Sequence, residues 1–172
     1  MSLPKSRAGD VRLAVDPAAM AADAGLVFIG RIRTPWTDLD ACPKNLREAR
    51  QRMGQGGTAW AEVDPPFRPG LAGLEGQRHL ILLYWMGQAS RDLIVQAPAH
   101  RPAPVGTFAL RSPARPNPVA LAVVSLLGLE PGAGRLHIDA IDCLDGTPLL
   151  DIKPWLPGVD LPPGGTAPGQ PA

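Results

Sequence analysis

Twenty-one prolines and 19 glycines punctuate a chain of 172 residues. Proline deletes an amide donor and glycine loosens the backbone, so long helices cannot run far before meeting one or the other. Short strands and many turns are favoured. The length fits one domain, or one domain with tails, and is too short for an eightfold β/α barrel. A domain of this size buries about 70% of the surface its unfolded chain exposes, so it needs neither disulfides nor a structural metal.

The two cysteines, Cys42 and Cys143, are far apart and form no CxxC. That is a reduced, cytosolic pattern. Net charge is only +1, so any attraction for nucleic acid must come from a local patch. All but three (Lys5, Lys44, Lys153) of the 17 basic residues are arginine, which suits bidentate recognition of phosphate or carboxylate. No apolar run approaches the ~18 to 20 residues of a membrane span, and the first 24 residues lack a basic-then-apolar leader. A soluble cytoplasmic protein is expected, with no membrane partner.

Residues 1–24 are small, polar and Ala-rich and read as a flexible arm; the Pro/Gly-rich end, 158–172, reads as a disordered tail. The globular part is therefore expected over 25–157. Within it, GLVFIGRIR, TAWAEVD, HLILLYWM, DLIVQ, GTFALRS, PVALAVVSLLGLE and GRLHIDAIDC read as strands, and HLILLYWM, lacking alternation, as one buried on both faces. A helical turn is expected at NLREARQR and another near 70–77. Asp145-Gly146 signals a hairpin into TPLLDI. The fold class is mainly β: a small single-domain β-barrel with short helical turns.

Absences narrow the chemistry. No GxGxxG follows a strand and no GxxxxGK[ST] is present, so neither a Rossmann unit nor a P-loop is supported. His79, His100 and His137 are scattered without a Cys or Glu at ligand spacing, so no metal is expected. The Asp139, Asp142, Asp145 series lacks the alternate oxygens and closing Glu of a calcium loop.

Two segments carry most of the information. Arg111-Ser112-Pro113-Ala114-Arg115-Pro116-Asn117-Pro118 is a stiff path in which three prolines remove three amide donors. It is either a preorganised anion clamp or a rigid barrel corner whose arginines pair with the nearby Asp cluster. Asp139 to Pro157, DAIDCLDGTPLLDIKPWLP, is the other; there Asp145 reads as a turn-former and Trp155 as a core plug.

Together these stretches resemble the TsaA-like family, now known as the TrmO family. GTFALRSPARPNPVALAVVSLL followed by DCLDGTPLLDIKPWLP carries the likeness, GLVFIGRIRTPW is similar to the family's opening IGxIxSP pattern, and GLAGLEGQRHLILLYWM to its GLExFSHLWIL segment. The resemblance covers about residues 26–157. It implies an S-adenosylmethionine-dependent methyltransferase acting on N6 of threonylcarbamoyladenosine at position 37 of tRNA. It also implies a β-barrel in place of a Rossmann fold, a homodimer with cofactor pockets near the subunit interface, and, given the Pro/Gly tail, the short single-domain form.

Carried over residue by residue, the family's cofactor site falls on Asn45 and Leu46 beside Pro43 and Lys44, on Met86, Gly87 and Gln88, on Arg111, on Leu121, and on Leu144, Asp145, Gly146 and Thr147. The chain departs from the family at Met86-Gly87, where Phe-His is usual, and in reading Val119-Ala120-Leu121-Ala122 for Ile-Gly-Leu-Ser. An N6 nitrogen conjugated to a carbonyl must lose its proton to attack, and Asp145 and Asp142 are the bases the sequence offers. Lys44, Arg47, Arg50, Arg52, Arg91 and Arg101, with Arg115 and Asn117 of the proline-rich loop, are the expected RNA contacts. A second reading, from a different class, is an S-adenosylmethionine-binding module with lost or altered substrate chemistry; Met86-Gly87 is the feature that favours it.

Overall fold

A computed structural model describes residues 7–54 and 58–164. They form two compact units, one built from 28–84 and 121 onward, the other from residues up to 27 and 85–120.

The first unit is a closed barrel. Its strands are β2 (Gly30–Arg33), β3 (Ala59–Val63), β4 (His79–Trp85), β7 (Val119–Glu130), β8 (Arg135–Ile138) and β9 (Thr147–Pro154), in the order β2-β3-β8-β7-β4-β9. Side chains alternate across each strand, and every strand sends one or more apolar residues inward. Ile32, Ala61, Leu136, Val124, Leu82 and Leu149, one from each strand, are fully buried. Registers such as Ile32↔Ala61 and Ala61↔Leu136 set these residues side by side. Two irregularities shape the wall. One, between Leu83 and Tyr84, lies where β4 meets β9. The other, between Leu126 and Gly128 on β7, leaves Leu127 facing out at 68% exposure.

Helix α1 (Leu46–Met53) follows β2. Asn45 caps it by accepting from the Glu48 amide at 2.9 Å, and Glu48 accepts from the Lys44 amide at 3.1 Å. Ala49 and Met53 are its buried face.

The second unit holds a three-stranded sheet of β1 (Val11–Arg12), β5 (Leu93–Gln96) and β6 (Val105–Gly106), ordered β1-β5-β6. Arg12 pairs with Asp92 at 2.5 Å and Asp10 accepts the Ala97 amide at 2.8 Å. The segment read as an arm thus supplies β1 and, at Pro17–Ala19, a 3-10 turn. A short helix α2 (Pro157–Asp160) occupies the start of the segment read as a tail. The rest of the expected arm and tail, 1–6 and 165–172, lies outside the described residues.

Several element readings differ from the structure. The helical turn expected near 70–77 is a 3-10 segment at Pro65–Leu71, and the strand expected over GRLHIDAIDC stops at Ile138. The first expected strand begins only at Gly30, and Leu26, Val27 and Phe28 before it are exposed. HLILLYWM is buried on one face alone: Leu80, Leu82 and Tyr84 point inward while Ile81, Leu83 and Trp85 sit on the half-buried outer wall. GTFALRS is a 3-10 turn (Thr107–Ala109), closed by the Leu110 amide on the Thr107 carbonyl at 3.1 Å. Asp145-Gly146 is a turn with Gly146 at φ 78° but joins no hairpin, since β9 pairs with β2 and β4 and not with β8.

Candidate functional site

In the barrel unit, the candidate site is built on the turn Leu144 to Thr147. Thr147 closes it, its hydroxyl donating to the Leu144 carbonyl at 2.7 Å. Gly146 takes the positive φ that a side chain would resist. The turn is then laced to the stretch that leaves β2. The Asp145 amide donates to the Trp36 carbonyl at 2.7 Å and the Gly146 amide to the Ile32 carbonyl at 2.8 Å. Asp145 Oδ1 accepts the Thr34 amide at 3.1 Å, and Oδ2 meets Arg33 Nη1 at 3.3 Å. Thr34 Oγ1 donates to the Cys143 carbonyl at 3.1 Å, and Trp36 Nε1 donates to the Ile141 carbonyl at 3.1 Å.

The two expected bases differ in their surroundings. Asp145 already accepts an amide and a guanidinium, an arrangement that fixes the turn. Asp142 accepts one donor, the Tyr84 hydroxyl at 3.1 Å, and keeps more acceptor capacity for a substrate proton. Arg33 is held firmly as a cation, chiefly by its hydrogen bond to Glu62 at 3.1 Å. Burial, with a smaller contribution from the Asp142 charge, pushes the Cys42 thiol up to about 11, and burial lifts Cys143 further. Neither thiol is a nucleophile at neutral pH.

The expected RNA contacts near α1 divide. Lys44, Arg47 and Arg50 are exposed, and Arg50 pairs with Asp139 at 2.7 Å while donating to the Val123 carbonyl at 3.0 Å. Arg52 donates to the Ala41 carbonyl, lies 3.6 Å from Glu48 and stacks its guanidinium 5.4 Å from the Trp36 ring centre. Asn45 serves as helix cap, Leu46 opens the helix and is half-buried, and Leu121 is exposed. A cleft of about 410 Å³ lies alongside, lined by Arg50, Met53, Leu127, His137 and Asp139 among others.

In the second unit the proline-rich loop is held by its own side chains. Prolines leave carbonyls without nearby amides, and side-chain donors take their place. Arg115 donates to the Ser112 carbonyl at 2.8 Å and to the Leu110 carbonyl. Arg91 donates to the Pro116 carbonyl at 2.6 Å and reaches Asn117 Oδ1 at 3.3 Å. Gln96 donates to the Ala114 carbonyl at 2.6 Å, and the Met86 amide to the Pro118 carbonyl at 2.9 Å. Of the expected RNA contacts, Arg91, Arg115 and Asn117 are thus engaged in this network, while Arg101 is exposed on the β5–β6 loop. Arg111, Gly87 and Gln88 are exposed and Met86 is half-buried. A Cβ at Gly87 would meet Trp85 Nε1 at 2.7 Å, so the indole fills the space a side chain there would need. The other partner of that ring is Arg91, 5.7 Å from its centre.

Sequence reasoning missed Arg33, Thr34, Trp36 and Tyr84 around the turn, and Trp85, Gln96 and Thr107 behind the loop. Thr34-Pro35-Trp36 was a visible signal, because a proline two residues beyond the end of β2 halts the strand and leaves carbonyls that need partners. Among the described residues no group of three or more His, Cys, Asp or Glu is placed to hold a metal, and no helix is long and apolar enough to cross a membrane.

Comparison with known proteins bears on this geometry. Residues 31–161 match the family described as tRNA-methyltransferase O N-terminal domain. A probable S-adenosyl-L-methionine-binding protein, VirR, of Rhizobium radiobacter is 38% identical over 132 residues, covering 77% of this chain and 71% of its own. A probable S-adenosyl-L-methionine-binding protein of Archaeoglobus fulgidus is 40% identical over 133 residues, 77% of this chain but 34% of its own. The crystal structure of TrmO from Pseudomonas aeruginosa superposes with a TM-score of 0.63 at 33% identity, covering 87% of this chain and 64% of that one. The chain thus spans about a third of the Archaeoglobus relative and less than two thirds of the solved TrmO. The match of residues 31–161 to its model, with a barrel of the same fold in the solved TrmO, places this chain in the tRNA-methyltransferase O N-terminal domain family.

Proposed function

We propose that the protein is an S-adenosylmethionine-dependent methyltransferase that modifies tRNA, transferring a methyl group to N6 of threonylcarbamoyladenosine at position 37. The observation that carries the reading is the Leu144 to Thr147 turn, fixed on residues 32–36 through Asp145 and through main-chain bonds, in a chain whose relatives are named for binding this cofactor. The residues present fit such a ligand. Nothing lies within 4 Å of where a Cβ on Gly146 would sit, so a flat ring has room to approach that backbone. Leu144 offers an apolar wall; for Arg111 a role in holding a carboxylate is proposed on the family resemblance alone. Asn45, Leu46, Met86, Gly87, Gln88 and Leu121 complete the proposed cofactor set.

When bound, S-adenosylmethionine supplies an electrophilic methyl group on its sulfonium. The chain's part is to position and to accept a proton. Asp142, oriented by the Tyr84 hydroxyl, is the base we favour for the N6 proton, with Asp145 holding the turn in place. Lys44, Arg47 and Arg101 would meet the RNA backbone. We further propose that the enzyme works as a cytoplasmic homodimer.

Ligand at 100 times its Kd should stabilise the native protein by about 2.7 kcal/mol and raise Tm accordingly. Purified protein given labelled cofactor should methylate tRNA that carries the threonylcarbamoyl group and spare tRNA that lacks it. No thermal shift at millimolar ligand would remove the cofactor assignment, and binding without methyl transfer would favour the second reading. That reading, a ligand-binding module without methyl transfer, is favoured by one observation: Gly87 offers no side chain, and Trp85 fills its space.

A further inference from the structure

We propose that Phe108 is a stacking platform for an unpaired nucleobase of the RNA substrate, an inference that rests on the RNA reading above and extends it. Phe108 is 79% exposed. A single exposed apolar residue is ordinary by itself. What sets this one apart is its seat. The preceding Thr107 is 1% exposed, donates through its hydroxyl to the Leu93 carbonyl at 2.9 Å, and accepts from Gln96 Nε2 at 2.9 Å. Its carbonyl accepts the Leu110 amide at 3.1 Å and Arg115 Nη2 at 3.5 Å, and Arg115 also bonds the Leu110 carbonyl. The turn cannot easily swing to hide the phenyl ring, so the ring is held out in solvent on an anchored backbone. A backbone fixed before binding leaves only the ring's own rotamers to be ordered on stacking a base.

Charge identifies the occupant. From Leu93 to Leu129 the chain contains no Asp or Glu, while it contains Arg101 and Arg115. The guanidinium groups of Arg91 and Arg115 bond carbonyl oxygens and an amide oxygen, not carboxylates. Their hydrogen bonds are satisfied while their charge is not cancelled. In the barrel unit, by contrast, Arg33, Arg50 and Arg52 each face a carboxylate. An exposed ring on an anchored turn, beside guanidinium groups that bond no carboxylate, matches what single-stranded nucleic acid asks of a surface: cations along the phosphates and an aromatic face for a splayed base.

The test is fluorescence anisotropy of a labelled anticodon stem-loop RNA against wild type, Phe108→Ala, Phe108→Leu and Phe108→Trp, over a salt series. Calorimetry with S-adenosylhomocysteine and light scattering are run on each protein. Phe108→Ala should weaken RNA binding about 5- to 150-fold without changing the salt slope, because stacking releases no counterions. Phe108→Trp should retain wild-type affinity, and Phe108→Leu should behave like the alanine variant. Arg101→Ala should instead lower the slope by about one. If wild type binds the RNA and Phe108→Ala or Phe108→Leu binds as well, this proposal fails while the RNA reading stands. If wild type binds no RNA, both fall. A Phe108→Ala protein that loses the S-adenosylhomocysteine heat, or changes mass, would place the ring in the ligand pocket or a subunit contact and overturn the platform.

Discussion

Replacing Gly87 by alanine should act through a ring two residues away. The new Cβ would stand 2.7 Å from Trp85 Nε1 and 2.8 Å from Cδ1, closer than real Cβ contacts allow, so the indole must turn aside. Turning it surrenders the stack on Arg91 at 5.7 Å, worth about 0.5–1 kcal/mol at a partly exposed site, and drives the side chain off its rotamer for about 0.5–1.5 kcal/mol. Against this, alanine narrows the unfolded ensemble by about 0.4–1 kcal/mol. The net is a destabilisation of about 0.5–1.5 kcal/mol. In a Trp85→Ala background the obstruction is gone, so Gly87→Ala should be neutral or stabilising, and the two changes should couple by about 1–2.5 kcal/mol. Urea midpoints of the four proteins measure that coupling. A value within about 0.3 kcal/mol of zero would show that Trp85 does not hold position 87 to glycine. The same cycle should precede any attempt to install histidine at 87, since that side chain meets the same ring.

Arg115→Ala should lower the urea midpoint by an amount equivalent to about 1.5–3 kcal/mol, because the Ser112 and Leu110 carbonyls lose a charged donor; a midpoint unchanged from wild type would show that water replaces it without loss. Asp145→Asn should alter Tm little, since the amide oxygen can still accept from Thr34 and exposed ion pairs contribute about 0–1 kcal/mol, whereas Asp145→Ala should melt clearly lower by orphaning that amide. Asp142→Asn should reduce single-turnover methylation of modified tRNA by about 10²- to 10⁴-fold, more than Asp145→Asn does; equal losses would remove the distinction drawn from Tyr84. Both thiols are raised from an unfolded value of 9.0, Cys42 to about 11, so above pH 9 the unfolded chain sheds protons that the native chain keeps. Stability from these groups is complete below pH 9 and falls as pH climbs through about 11. The decline in Tm over that window should shrink in a Cys42→Ala, Cys143→Ala protein.

Much of the barrel was legible because its evidence is local. Alternation gave TAWAEV its inward Ala59, Ala61 and Val63, and NLREARQR, expected as a helical turn, became α1. What escaped was decided by distant partners. GTFALRS has strand composition, yet Thr107 is claimed by the Leu93 carbonyl and by Gln96, which bend the segment into a turn. Asp145-Gly146 forms the turn its residues favour, but which strands it joins depends on β9 entering between β2 and β4, and no local pattern encodes that. Around the candidate site, the turn at 144–147 could be marked from sequence, whereas its anchorage by Arg33, Thr34 and Trp36 spans more than a hundred positions. The proline-rich loop offered a clue that went unread. Removing three amide donors leaves carbonyls in want of donors, and Arg115 is the nearest in the chain to supply them.

The placement of β9 has a consequence for how the protein is made. β9 pairs on one side with β2, through Gly30↔Leu149, and on the other with β4, through Leu82↔Ile152. Its partners leave the ribosome first and must wait, with hydrogen-bonding edges open, until Pro154 has emerged; at about 5–20 residues per second that wait lasts seconds. Pairings between such remote segments also slow the search itself. A nascent chain stalled before Thr147 would expose two unpaired strand edges at once, a template for association with its neighbours. Chaperone dependence during synthesis should therefore rise steeply for chains arrested between β8 and β9, and vanish once β9 has left the tunnel.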